Sequence, residues 1–344
     1  MGTLSTIRIA GGAIASAGLA ISALAAPAAQ AAHAASGQPT ARVTVHHIAV
    51  GGVQFQVAID PVRHLAWAAT ANGLVRISER TQRVTGRFKV SAEYVTVDPR
   101  TATVWGVSPY NGGNPENTVT EVSETTGKVI HQFTTGVLSE TPEGIAADPR
   151  AGEVWVAAGP GVAEVDEATH RVVAVVNLHT GERAAPYGVT VDPAAGRVWV
   201  AVDPDSGNPT ATWAAEINVA SRRVVHIFEQ GGSPVAIGVD GSRGTAWLVN
   251  GNGGTEVVAE ATGKVIANYG TPGDVDAIAL DPRARRAMLA DGGDNTVPVL
   301  SENTGKVAET ASTAFFPQSV AVDPGTADVY IAIAFRNDLE EFHL

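Results

Sequence analysis

The chain has 344 residues, with 23 basic and 35 acidic side chains, a formal charge of −12 and no cysteine. The acidic balance, with no basic run longer than Arg222-Arg223 or Arg285-Arg286, makes nucleic acid a poor partner, because phosphate backbones are held by Lys and Arg. The absence of cysteine excludes disulfides and a lipid-modified leader, so closure of the fold itself has to supply the stability that bridges give other exported proteins.

Residues 1–34 carry one basic side chain, Arg8. They continue through an Ala-, Gly-, Ile- and Leu-rich run to about Ala26 and end in Ala32-His33-Ala34. That order predicts a secretory signal peptide cut after Ala31 or Ala34, and hence a secreted, extracellular protein. Loss of Arg8 alone takes the formal charge from −12 to −13. No later apolar run approaches the roughly 18 residues of a membrane span.

Residues 35–344 read as one domain. Arg42 to Ala49 is predicted to be a lone strand preceding a repeat. The repeat phrase then occurs seven times: VAIDP (57–61), VTVDP (95–99), IAADP (145–149), VTVDP (189–193), IGVDG (237–241), IALDP (278–282) and VAVDP (320–324). Its aspartates are Asp60, Asp98, Asp148, Asp192, Asp240, Asp281 and Asp323, spaced 38 to 50 residues apart. Seven residues after each stands a large side chain: Trp67, Trp105, Trp155, Trp199, Trp247, Met288 and Tyr330. Each unit reads as an apolar strand A, an Asp-Pro turn, a strand B of the VWVA type, a strand C such as Thr118 to Val122, a Thr-Gly-Lys-type turn and a strand D such as Val129 to Phe133. A period near 40 with four strands per unit predicts a seven-bladed, all-β propeller with antiparallel blades. The seventh unit ends after strand C, at Leu339 to Leu344. The strand within 42–50 is expected to supply its missing outer strand and so close the ring without a free edge. The large strand-B residues are expected to wedge between blades, and the aspartates to form turns rather than ligate one ion.

The VTVDP- and VWVA-type strands and the segment EVDEATHRVV (164–173) resemble the YVTN-repeat, YncE-like β-propeller family over residues 42 to 344. The resemblance implies the repeat class and an exported scaffold. It also implies DNA binding for some relatives, which the charge here opposes.

In such a ring the D–A and B–C connections share one face, and the A–B and C–D turns share the other. Long, Gly- and Asn-rich B–C connections at 108–117 and 203–212 make the first face the expected place of function. Five residues before each repeat aspartate stand Phe55, Glu93, Glu143, Tyr187, Val235, Asp276 and Gln318, where strand A enters beside the central channel. Glu93, Glu143 and Asp276 could ring the channel mouth and hold a hard cation such as Ca²⁺ or Mg²⁺, or could simply be hydrated. Tyr187 and Gln318 share that position, and Tyr94, Tyr110 and Trp213 offer a stacking surface for a sugar or peptide. The nine histidines, spread over outer strands and turns, are not expected to cluster, and neither a nucleophile elbow nor a phosphate-binding loop is present. The expected function is therefore a monomeric, non-catalytic binding or interaction propeller whose ligand, a protein, peptide or saccharide, sits at the loop-rich face. The alternative is a divalent-metal lactonase- or lyase-like enzyme using the mouth carboxylates.

Overall fold

The computed structural model describes residues 43–108, 118–134, 144–158, 161–178, 185–203, 213–229, 234–251, 253–271 and 274–344, with the backbone alone at 158, 185, 187, 203, 213, 229 and 234. The predicted signal (1–34), Tyr110, Glu143 and most of the two long B–C connections lie outside the described residues. So do the side chains of Tyr187 and Trp213.

Alternating apolar patterns fold each unit into one four-stranded antiparallel sheet, seven in all. In blade 1 the strands are A (Gln54–Asp60), B (Leu65–Thr70), C (Gly73–Ser78) and D (Arg83–Phe88). Strand B, Leu-Ala-Trp-Ala-Ala-Thr, is buried almost throughout, because neighbouring blades cover both of its faces. Strand D alternates exposed and half-buried residues, as an outer strand with one wet face should. The inner strands of the next blades begin at Tyr94, Gly144, Ala185, Pro234, Val275 and Pro317.

The repeat aspartates make the A–B turns. Asp60 Oδ1 accepts the backbone N–H groups of Val62 (2.7 Å) and Arg63 (3.0 Å), and the arrangement recurs at Asp98, Asp148, Asp192 and Asp281. The turn ends on a left-handed residue, which is glycine at Gly152, Gly196 and Gly244 but His64 (φ 57°) in blade 1.

Seven apolar clusters fill the seven junctions between blades. Each is built around one strand-B residue reaching into the next blade. Trp67 packs on Val95, Val97, Val104 and Val122 of blade 2, and Met288 packs on Val320, Val329, Ile331 and Phe342 of blade 7. Trp67, Trp105, Trp155, Trp199, Met288 and Tyr330 are fully buried and Trp247 is 1% exposed, so the wedge expectation holds in every unit.

The ring closes through the N-terminal strand. His46–Ala49 pairs antiparallel with Asp338–His343, with Ile48 opposite Leu339. The strand is shorter than the expected 42–49. Val43 and Val45 precede it without ladder pairing and pack, half-buried, against the blade 6–7 cluster instead. Inner strands are also stitched side to side. Val57 donates to Ser319 Oγ (3.3 Å), Val95 to Gln56 Oε1 (2.6 Å) and Ala147 to Thr96 Oγ1 (3.2 Å). Among the described residues, no helix is long and apolar enough to cross a membrane.

Candidate functional site

The position five before each repeat aspartate has a structural identity that periodicity alone did not show. In five blades it is the extra residue of a β-bulge: the register shifts around Phe55, Tyr187, Val235, Asp276 and Gln318. A bulge bends the strand and re-aims a side chain beside functional openings. Not all seven residues share one fate. Phe55 and Val235 pack into cores, as does Tyr94. The Gln318 side-chain amide donates to the Gln54 carbonyl, and the buried Gln54 donates to the Asp338 carbonyl at 2.6 Å, so Gln318 clamps blade 7 to blade 1. Glu93 is half-buried, and its backbone N–H is held by Val107 O at 2.9 Å.

Asp276 is different. It stands on the loop face of blade 6 with Asp274 and Asp291. Burial first, then the charges of Asp274 and Asp291, push its carboxyl up to about 7. Burial also raises Asp291. One oxygen of each, Asp276 Oδ2 and Asp291 Oδ2, is buried without a hydrogen-bond partner, Asp291 being 1% exposed, and no ion pair among the described residues involves either. The B–C turn Asp291-Gly292-Gly293-Asp294 explains why these acids fit. A Cβ on Gly292 would lie 2.8 Å from Asp276 Oδ2 and 2.7 Å from Phe316, and one on Gly293 would lie 2.8 Å from Asp274 Oδ2.

Beside the acids stand three phenylalanines. Phe315 is 46% and Phe335 62% exposed, and the Phe315 ring centre lies 6.4 Å from Phe316 and 6.3 Å from Phe335. The shelf is held rigidly: Phe316 N–H donates to Asn295 Oδ1 (2.7 Å), and Ala334 N–H donates to Phe316 O (3.0 Å). Asp274, Asn295 and Phe335 all have left-handed backbones (φ 60°, 56° and 59°). Asp and Asn tolerate that region through their short polar side chains, whereas a Phe there carries strain and gains nothing in the core for it. Sequence reading missed the shelf, although Phe315-Phe316 is an adjacent aromatic pair in a D–A connection.

The turn face carries a second set of chemistry. A glutamate follows strand C in five blades, Glu79, Glu124, Glu167, Glu260 and Glu302, each nearly or fully buried. Each meets the turn aspartate of the preceding blade: Asp323, Asp60, Asp98, Asp192 and Asp240 in order. Burial first, and then the facing aspartate, raises Glu79 and Glu167 to about 9, Glu124 and Glu302 to about 8, and Glu260 to about 7. Two buried carboxylates facing each other repel unless one holds a proton, and the glutamate is the one whose pKa is raised. Arg63 and Arg100 lie against the Asp60–Glu124 and Asp98–Glu167 pairs, at 2.7 Å from Asp60 and 2.7 Å from Glu167. The 3–4 junction has Val219 at the glutamate position, and a cleft lined by Asp148, Arg150, Pro193 and Val219 opens there. The expectation that the histidines stay apart fails for one pair, which the contact between adjacent blades brings together. His131 and His170 from adjacent blades stack at 4.2 Å, and His170 Nε2 lies 2.6 Å from Glu121 Oε2.

The wedge tryptophans report on this network. Trp67 and Trp199 donate Nε1–H to Glu124 and Glu260 of the next blade, both at 2.8 Å, while Trp155, facing Val219, has no partner. Trp199→Phe is expected to cost about 1–3 kcal/mol more than Trp155→Phe, because both lose the same volume but only the first strands a buried carboxyl. Urea unfolding of the two variants measures the difference. Equal losses would remove the bond from the account.

No family model matches the chain, and no curated protein matches it. Among solved structures, hydrazine synthase from Kuenenia stuttgartiensis is similar, with a TM-score of 0.72 and 17% identity over 85% of this chain and 95% of that one. Identity this low shows the fold alone: the chain is a seven-bladed β-propeller.

Proposed function

We propose that this chain is an exported, non-catalytic binding propeller of the YVTN-repeat, YncE-like kind. Its loop face at blades 6 and 7 takes a cationic organic ligand, either a free amine or a basic side chain of a partner. The observation that carries this reading is Phe335, an aromatic side chain held 62% exposed on a left-handed backbone, on the same face as Asp276 and Asp291, whose buried, unpartnered oxygens lie beneath the surface and lack a counter-charge. Aromatic faces attract ammonium and guanidinium groups, and crowded carboxylates lacking a counter-charge favour the same guest. Asp274, Asp276 and Asp291 do not bring three ligand atoms within 4.8 Å of one another, which suits a broad organic cation better than a small metal ion.

The test is calorimetric titration with benzyltrimethylammonium and its uncharged carbon isostere. The cation alone should bind, and binding should fall at least about fivefold in Asp276→Asn and in Phe335→Ser. Because Asp276 ionises near pH 7 and a cation favours the ionised form, affinity should rise up to about tenfold from pH 6 to pH 8. Equal binding of cation and isostere, or a flat pH profile, would defeat the reading.

A further inference from the structure

On the opposite face, the junction that closes the ring departs from the other acid pairs. Elsewhere a guanidinium lies against the pair, as Arg63, Arg100 and Arg243 do at the junctions after blades 1, 2 and 5, or an indole N–H donates to the glutamate, as Trp199 does after blade 4. At the 7–1 seam neither is present. Gly325 and Thr326 occupy the places of the arginines, and the wedge is Tyr330 rather than Trp. In their stead His64 turns its imidazole toward both acids, with Nδ1 3.6 Å from Glu79 Oε2 and 3.5 Å from Asp323 Oδ2. Both distances are too long for hydrogen bonds, and His64 Nδ1, both Glu79 oxygens and Asp323 Oδ2 are buried without partners. Asp323 Oδ1 is occupied by the Gly325 N–H at 2.6 Å, which fixes the other oxygen toward the seam.

We propose that His64, Glu79 and Asp323 form a binding site for a first-row divalent metal ion, with Zn²⁺ preferred, that pins blade 7 to blade 1. Among the described residues this is the one group of three His, Asp or Glu side chains whose ligand atoms lie within 4.8 Å of one another. Two ligands of a tetrahedral zinc ion, each about 2.0–2.1 Å from it, stand about 3.3–3.4 Å apart, close to the spacing found. One imidazole and two carboxylates are a borderline donor set that suits zinc above calcium or magnesium, and the ion's binding displaces the Glu79 proton, so that two carboxylate charges then match a divalent ion. A second, independent observation points into the same place. The Tyr330 hydroxyl, on a fully buried side chain, has no partner and is pushed up by burial and by the Glu79 charge. A phenol that keeps its proton is a donor to a ligating carboxylate, the second layer that orients metal ligands. The site is remote from the loop face, so it neither needs nor supports the organic-cation reading.

The purified chain, stripped with chelator and titrated calorimetrically with ZnCl₂ and separately with MnCl₂, tests this. One equivalent of Zn²⁺ should bind, more tightly than Mn²⁺, and Co²⁺ in its place should give visible d–d absorption. His64→Gly removes a ligand while suiting the left-handed turn, so it should fold at least as well as the parent and bind zinc at least about 30-fold more weakly. Glu79→Gln should weaken binding similarly, whereas Glu167→Gln, at the 2–3 junction, should leave it unchanged. No stoichiometric uptake of Zn²⁺ by the parent, or equal affinity in His64→Gly, would overturn the site. Tighter Mn²⁺ than Zn²⁺ binding would overturn the preference for zinc.

Discussion

Deleting residues 43–50 is expected to abolish cooperative folding of the ring. The segment contributes four ladder positions to blade 7, and buries Ile48 (5% exposed) and Val50 (fully buried) in the cluster around Tyr330 at the 7–1 seam. Losing two such side chains costs about 3–6 kcal/mol by transfer alone, a large share of the 5–15 kcal/mol that holds a typical domain folded. The loss also bares the unpaired edge of Asp338–His343, and with no cysteine anywhere in the chain nothing covalent holds the first blade to the last. Gel filtration and a denaturant melt should show aggregate or a non-cooperative transition. A monomeric deletion mutant with the parent midpoint would mean that the ring does not depend on this strand.

The second large effect concerns pH. Glu124, Glu167 and Glu302 are each raised to about 8 or 9 by burial against an aspartate. A folded pKa above the unfolded value means that the folded chain binds the extra proton more tightly. The stabilisation is complete below the unfolded carboxyl range, about 4.5, and is lost as pH rises through the folded value. Stability should therefore fall between about pH 5 and pH 9, by up to about 1.4 kcal/mol per pH unit for each glutamate. Asp60 is the opposite case. Its folded pKa is lowered by Glu124, Arg63 and turn amides despite burial, so its contribution fades only as pH falls below the usual aspartate range. The optimum is expected near pH 4.5–5. Melting curves of the parent and of Glu124→Gln/Glu167→Gln/Glu302→Gln settle the point, since glutamine keeps a donor toward aspartate but cannot titrate. The triple variant should show a clearly flatter decline above pH 5. A parent whose stability is level or rising from pH 5 to 9 would show that these glutamates are ionised.

The architecture was legible because it is written seven times. A turn aspartate and a wedge seven residues later survive any local ambiguity, and a missing fourth strand at one end matched a surplus strand at the other. The sites were less legible, for a physical reason. Glu79 and Asp323 are 244 residues apart and meet only because the ring closes, so no spacing rule along the chain reports them. The repeated glutamate after strand C was a visible signal, but its distance from the repeat aspartate varies with the length of the B–C connection, from 19 residues in blade 1 to 26 in blade 2. Asp276 was singled out by position, since bulge residues keep a fixed offset from the turn. Its partners Phe315, Phe316 and Phe335 come from two connections that follow no repeat pattern.

Fluorine NMR of the chain labelled with 4-fluorophenylalanine tests the loop-face binding claim most directly. The eight phenylalanines give eight signals, assignable by single substitution. Titration with benzyltrimethylammonium at pH 8 should shift the signals of Phe315, Phe316 and Phe335 saturably while those of the buried Phe228 and Phe342 stay fixed, and Asp276→Asn should abolish the shifts. Unchanged signals from Phe315, Phe316 and Phe335, or shifts that survive Asp276→Asn, would contradict a cation-binding face at blades 6 and 7.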